Sequence, residues 1–103
     1  MTSPHFVISD EAKGDLLSIE AYIGEHGGEM RAAAAMARIM KSIDNIAFMP
    51  GMGTWRSYLK RNQRGFSVPP WTIFYKPLPD GGIEVVRIVD GRRNLPVLFG
   101  RKS

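Results

Sequence analysis

The residues best suited to chemistry in this chain are arginines of its C-terminal half, which a sheet could gather around one groove. Arginine keeps its charge at any relevant pH, and its planar guanidinium binds phosphate through two parallel hydrogen bonds. Several such groups can stabilise the transition state of phosphodiester cleavage. The residues predicted to surround the groove are Arg64, Arg87, Arg92 and Arg93.

Cleavage of a phosphodiester also requires one group that accepts a proton and another that donates it. The candidates are Tyr58, Lys60 and Tyr75, of which Tyr75 is expected to lie in the core. No GxSxG motif marks a serine nucleophile, and the two histidines, His5 and His26, lack a metal-binding spacing. We therefore predict no metal site and no cofactor, and the pattern favours a binding groove over a catalytic one.

Some of these charged residues also have a structural interpretation. Arg87 could pair along the sheet with Glu84 or Asp90, which would contribute under about 1 kcal/mol if the pair is exposed. The carboxylates of the first predicted helix, Asp15 and Glu20, do not share a face and are expected to meet water.

The segment 52–63 is less regular and places basic residues among the aromatic residues Trp55 and Tyr58. Such interleaving can hold phosphates and stack bases. The other interpretation is a loop whose aromatic side chains pack on the core, and the sequence slightly favours it. The basic residues of this cluster are Arg56, Lys60, Arg61 and Arg64.

The charge is divided unevenly along the 103 residues. Residues 1–50 carry 4 Lys/Arg and 7 Asp/Glu, whereas residues 51–103 carry 10 and 3. The basic half therefore suggests an anionic partner, although a solvated basic surface is the alternative. The chain has no cysteine and no apolar run near the roughly 18 residues of a membrane helix. These features predict a cytoplasmic protein that does not contact a membrane.

The arginines flank stretches rich in β-branched and aromatic residues, which predict strands at Trp71–Lys76 and Ile83–Val89. The prolines and glycines of residues 77–82 predict a hairpin loop between them. A third strand is predicted at Phe66–Val68, and two prolines join it to the strand at Trp71–Lys76.

The alternation of side chains predicts two different faces for this sheet. Val86 and Ile88 share one face of the last strand, and Val85 and Arg87 share the other. We therefore predict one apolar face that is covered and one basic face.

A short strand at residues 5–8 and two helices precede the sheet. The first helix is predicted to start at Ser9 or Asp10 and to end near residues 24–28, and the second runs from about Glu29 to Met49. Each has an apolar stripe, so the pair should form an antiparallel hairpin on the apolar face. The sequence thus predicts one α+β domain over residues 1–103, with the helical hairpin packed on a twisted antiparallel sheet.

The chain resembles the RelE/ParE superfamily of toxins from bacterial type II toxin–antitoxin systems over nearly its whole length, and is most similar to the ParE-like branch. The resemblance lies in three segments: FVISDEAKGDLLSIEAYIGEHGG, IDNIAFMPGMGTWR and RGFSVPPWTIFYKPLPDGGIEVVRIVDGRRNL. It implies a helical hairpin on a twisted sheet, and a bound antitoxin of the ParD kind or similar. The residues expected to contact the antitoxin or the target are Leu17, Tyr22, Arg56, Lys60, Arg61, Arg64, Arg87, Arg92 and Arg93.

The resemblance implies different targets for the two branches. RelE-like members cut mRNA on the ribosome with basic strand residues and a C-terminal tyrosine, whereas ParE-like members inhibit DNA gyrase and have no hydrolytic site. Arg93 matches a RelE-type catalytic arginine, but the tyrosine position falls on Phe99 and another arginine position on Thr72. The upstream lysines fall near Ser67 and Gly65.

Because most of the nuclease set is missing, we expect a gyrase-inhibiting toxin that is not an enzyme. A ribosome-dependent endoribonuclease that uses Arg64, Arg87 and Arg93 is the alternative. A degenerate toxin that only binds its antitoxin is a further one.

Overall fold

The two helices start and stop at the signals predicted from the sequence. The structure is a computed structural model that describes residues 5–100. Helix α1 spans Asp10–Gly27, and the Ser9 hydroxyl caps it by accepting a hydrogen bond from the Ala12 backbone N–H at 3.1 Å. Helix α2 spans Glu29–Phe48 and ends before a 3-10 turn at Pro50–Met52, since proline cannot continue a helix.

Four strands and a short helix complete the fold. The strands are β1 (Phe6–Ile8), β2 (Arg64–Val68), β3 (Trp71–Pro77) and β4 (Ile83–Asp90), and the helix is α3 (Leu95–Leu98). The sheet order is β1-β4-β3-β2, with β2, β3 and β4 antiparallel and β1 parallel to β4. The predicted α+β class is therefore confirmed, and the sheet is mixed rather than wholly antiparallel.

The main core lies between the helical hairpin and one face of the sheet. Helix α2 buries a continuous stripe there, while α1 buries Ala12 fully and packs Leu16 and Ile19 against the cluster. From the sheet come Ile73, Tyr75, Val85 and Ile88, each at most 1% exposed. The stripe of α2 consists of Ala32, Ala35, Ile39, Ile43, Ile46 and Ala47.

The predicted alternation along β4 is wrong because a bulge interrupts it. Phe74 of β3 pairs with Arg87, but the next residue, Tyr75, pairs with Val85, so Val86 is the extra residue. A bulge of this kind resets which side chains share a face. Val85 and Ile88 consequently both lie in the main core.

The prediction of a basic second face is also wrong, because a second apolar cluster covers part of that face. This cluster buries Phe74, Leu59, Val89 and Leu95, which come from two strands, the loop before β2 and helix α3. Tyr58, Leu98 and Phe99 pack against it. Both faces of the sheet therefore exclude water over part of their area.

The Tyr75 side chain holds the loop after α2 against the sheet. Its buried hydroxyl donates to the Pro50 carbonyl oxygen at 2.7 Å and accepts from the Gly53 N–H at 2.8 Å. A β carbon on residue 53 would lie 2.5 Å from that hydroxyl, so glycine is required for this approach. Tyr75 is therefore a structural residue, as its expected core position implied.

Replacing Tyr75 by phenylalanine is expected to lower the free energy of unfolding by about 1–2 kcal/mol, because the change leaves a buried donor and a buried acceptor unpaired. Burial raises the pKa of Tyr75 above its ordinary value of 10.0. The folded state thus favours the neutral phenol, and its contribution is fully present below about pH 10 and lost as pH rises through the folded-state pKa. Urea unfolding at neutral pH measures the effect.

Tyr58→Phe is the matched control for this prediction. The Tyr58 hydroxyl is half-buried and accepts one hydrogen bond, from the Arg56 guanidinium at 3.0 Å. We expect this variant to lose less than half as much stability as Tyr75→Phe. Equal losses in the two variants would contradict the structural role of Tyr75.

Candidate functional site

The arginines predicted to surround one groove lie on separate surfaces. Arg64 lies opposite Tyr75 in the β2–β3 pair, on the face that the helices cover, and donates to the Gly53 carbonyl oxygen at 2.7 Å. Arg87 lies opposite Phe74, on the other face of the sheet. Arg92 and Arg93 follow the end of β4 and line a different cavity from Arg87. The single groove predicted from the sequence is therefore wrong.

Arg87 forms a two-pronged ion pair with Asp15 of α1. Its Nε donates to Asp15 Oδ2 at 2.8 Å and its Nη2 donates to Oδ1 at 3.1 Å. The Glu11 carboxylate lies 3.6 Å from Arg87 Nη1. The hydrogen bonding of the Arg87 guanidinium to the Asp15 carboxylate is the largest cause that raises the pKa of Arg87. The predicted partners of Arg87 are wrong, because Glu84 pairs with Lys76 at 3.3 Å and Asp90 pairs with Arg92.

The same carboxylate also closes the free edge of β4. Strand β1 pairs with β4 only as far as Val85, and the chain then turns into α1. Ser9 continues the edge by donating its N–H to the Val85 carbonyl at 3.0 Å and its hydroxyl to the Val86 carbonyl at 2.9 Å. Asp15 then accepts the Ile88 N–H at 2.9 Å. The prediction that Asp15 meets water is therefore wrong, since this carboxylate takes the place of a neighbouring strand.

A polar cleft of about 250 Å³ lies beside Arg87. Its proton-transfer candidates are Tyr58 and Lys60, but the Tyr58 hydroxyl already accepts a hydrogen bond from Arg56. Phe99 packs edge-on against Phe74, at 4.6 Å between ring centroids, and offers no hydroxyl. The cleft is lined by Glu11, Tyr58, Lys60, Gln63, Val86, Arg87, Leu98 and Phe99.

A larger cavity of about 580 Å³ lies between α1 and the ends of β3 and β4. We call it the α1–sheet groove. Its walls are mainly apolar, and two arginines lie at one end. The groove is lined by Ser18, Ile19, Tyr22, Ile23, Pro70, Trp71, Asp90, Arg92 and Arg93.

Fixed side chains shape this groove. The Tyr22 ring stacks on His26 at 4.1 Å yet stays 64% exposed. The Arg38 guanidinium lies 5.9 Å from the centre of the Trp71 ring and donates to the Pro69 carbonyl oxygen at 2.9 Å. The rings of Tyr22 and Trp71 are therefore available to contact a ligand in the groove.

The charge at the end of the groove is only partly compensated. Asp90 accepts hydrogen bonds from the Arg92 backbone N–H and Nε, both at 2.9 Å, and from Nη2 at 2.6 Å. These bonds lower the pKa of Asp90 to about 2, because they favour the ionised carboxylate. Arg93 is exposed beside this pair and adds a second positive charge.

The two aromatic side chains of the basic loop, residues 55–63, differ in how far they are buried. Tyr58 docks on the second apolar cluster, as the structural interpretation predicted, whereas Trp55 is 49% exposed. Arg56 packs over the Phe74 ring at 5.8 Å. Lys60 and Arg61 are exposed.

Sequence reasoning missed most of the groove walls. The apolar stripe of the first helix includes Ile19 and Ile23, and Trp71 is predicted on a strand, so neither pattern indicates a shared cavity. Leu17 is 67% exposed on α1 but does not line the groove. The signal available in the sequence was a tyrosine on the helix outside its apolar stripe.

Within residues 5–100, no three acidic or histidine side chains are grouped so that they could hold a metal ion. In the same part of the chain, no helix is both long enough and apolar enough to cross a membrane.

Comparisons with known proteins agree on one family. Residues 6–95 match the family model described as ParE toxin of type II toxin-antitoxin system, parDE. Toxin ParE3 of Caulobacter vibrioides is 34% identical over 90 residues, which cover 87% of this chain and 89% of that protein. A solved structure titled chromosomal ParDE TA system from P. aeruginosa has the same fold, with a TM-score of 0.71 and 17% identity over 85% of this chain and 96% of that one. The chain therefore belongs to the ParE toxin family of type II toxin–antitoxin systems.

Proposed function

We propose that this toxin acts by binding and inhibiting DNA gyrase, and that it does not cleave RNA. The observation that carries the proposal is the position of Arg87 between two carboxylates. Asp15 holds the guanidinium at 2.8 Å, and Glu11 lies at 3.6 Å. A phosphodiester that approached Arg87 would meet this negative charge, so Arg87 is poorly suited to stabilise a phosphorane-like transition state.

The other members of the nuclease set are also unsuited to that chemistry. Arg93 lines the α1–sheet groove rather than the cleft of Arg87, which argues against joint action of the two cations on one phosphate. Thr72, at an expected arginine position, is 3% exposed. Phe99 cannot exchange a proton. A protein with this arrangement of side chains is better suited to inhibit a target by binding it than to cleave RNA.

We also propose that the toxin is neutralised in the cytoplasm by an antitoxin of the ParD kind or similar, and that the α1–sheet groove receives part of it. An amphipathic segment can insert apolar side chains between Tyr22 and Trp71, as peptide helices do in hydrophobic grooves. A carboxylate at one end of that segment would then face Arg93. The size and lining of the groove support this assignment.

A supercoiling assay with purified gyrase tests the proposed target. We expect the toxin to inhibit the supercoiling of relaxed plasmid and to increase the amount of cleaved plasmid trapped on gyrase. Addition of the neighbouring antitoxin in molar excess should restore full supercoiling, which is the control for a specific effect. Unchanged supercoiling and no trapped cleavage at saturating toxin would refute the proposal.

A further inference from the structure

Cations without an ion-pair partner are concentrated in the basic loop and at Arg64, the first residue of β2. Residues 45–79 contain no aspartate or glutamate. Within residues 5–100, the ion pairs of the sheet and its exit involve Lys76, Arg87 and Arg92, and none involves the cations at positions 56, 60, 61 and 64. Four cations within nine consecutive residues of the described structure thus form no ion pair.

Neutral partners fix two of these four cations. Arg56 donates to the Tyr58 hydroxyl and lies over the Phe74 ring, and Arg64 donates to a backbone carbonyl. Their charges still contribute to the local potential, because no carboxylate faces them in the described residues. Lys60 and Arg61 are exposed, so their side chains are available to a partner.

Trp55 lies beside these cations and is only half covered. Its Nε1 donates to the Leu59 carbonyl oxygen at 3.2 Å, which fixes the indole to the loop. The side chain nevertheless remains 49% exposed. An exposed, fixed indole beside free cations is suited to stack on a base while the cations contact the adjoining phosphates.

We propose that the basic loop is a binding site for a DNA strand, with Lys60 and Arg61 on phosphates and Trp55 stacked on a base. The choice of DNA over RNA rests on the proposed action on gyrase, an enzyme whose substrate is DNA. An acidic protein segment is the competing partner, but it would not require an exposed aromatic ring. The proposal assigns the loop a binding role only.

Fluorescence anisotropy with a labelled single strand of about 20 nucleotides tests this proposal on the full chain, at about 50 mM salt and up to about 100 μM protein. We expect Lys60→Ala/Arg61→Ala to weaken binding about tenfold and to reduce the slope of log K against log salt by roughly 1.4. Trp55→Leu should weaken binding about tenfold on the single strand and less on the same sequence as a duplex.

Lys13→Ala/Lys41→Ala is the matched control, because it removes the same charge from exposed positions of α1 and α2. It should bind the strand within about twofold of wild type, since its cations lie outside the proposed site. Equal weakening in the two double variants would show attraction to net charge alone and would overturn the proposal. So would tighter binding to the corresponding RNA strand, or no binding at all by the wild-type toxin.

The supercoiling assay distinguishes failure of this site from failure of the gyrase proposal. A toxin that inhibits gyrase but shows no affinity for DNA would overturn the loop assignment and leave the proposed target intact. Loss of antitoxin binding in Lys60→Ala/Arg61→Ala, with DNA binding unchanged, would identify the loop as a protein interface and would also overturn the assignment.

Discussion

Replacement of Asp15 by alanine is expected to lower the free energy of unfolding by about 2–4 kcal/mol, the largest effect of any single substitution considered for this toxin. The side chain of Asp15 is 15% exposed and that of Arg87 is 21% exposed, so water screens their pair only partly. The change also leaves the Ile88 N–H without its acceptor. Urea unfolding followed by circular dichroism measures the difference.

Glu11→Ala provides the control, because Glu11 approaches the same guanidinium but its side chain is 76% exposed. We expect it to cost under about 0.5 kcal/mol. In a double-mutant cycle, Arg87→Met should recover part of the stability lost in Asp15→Ala, because it removes the unpaired cation. If Asp15→Ala costs no more than Glu11→Ala, the carboxylate does not secure the edge of β4.

Replacement of Tyr22 by alanine is expected to weaken antitoxin binding by about 2 kcal/mol, or roughly 30-fold. The ring is a wall of the α1–sheet groove and is mostly exposed in the free toxin, so its truncation should leave the fold intact. Titration calorimetry with the purified antitoxin measures the loss. In cells, the variant should need more antitoxin for the same growth.

Met30→Ala is the matched control for the groove. Met30 is 88% exposed at the start of α2 and does not line the cavity. Its replacement should change the antitoxin affinity by less than about twofold, as expected for surface residues outside an interface. The groove would be excluded as an antitoxin site if Met30→Ala and Tyr22→Ala weakened binding equally.

Local sequence signals were sufficient to predict most of the secondary structure. Three of these signals depend only on residues close together in the chain, so they can be identified without tertiary information. They are the Ser9 cap, the apolar stripe of α2 and the end of α2 before Pro50. The hairpin loop followed from its prolines and glycines, and both strands beside it end within one residue of their predicted positions.

The candidate site could not be predicted in the same way, because it depends on contacts between distant parts of the chain. Asp15 and Arg87 are 72 residues apart, and they meet only because β1 leaves the edge of β4 free for α1. The bulge at Val86 changes which side chains of β4 share a face, and no residue type in the sequence indicates a bulge there. The α1–sheet groove likewise joins Tyr22 to Trp71 through the packing of the whole helical hairpin.

One experiment tests the proposed action of this toxin most directly. The toxin is induced in cells without its antitoxin, and two lesions are measured in the same culture: DNA breaks trapped on gyrase and ribosome-phased cuts in mRNA. We predict that gyrase-linked breaks accumulate before growth stops, while transcripts stay intact. Phased mRNA cuts without gyrase-linked breaks would contradict the proposed target. Arg87 would then have to act in catalysis although the carboxylates of Asp15 and Glu11 lie beside it.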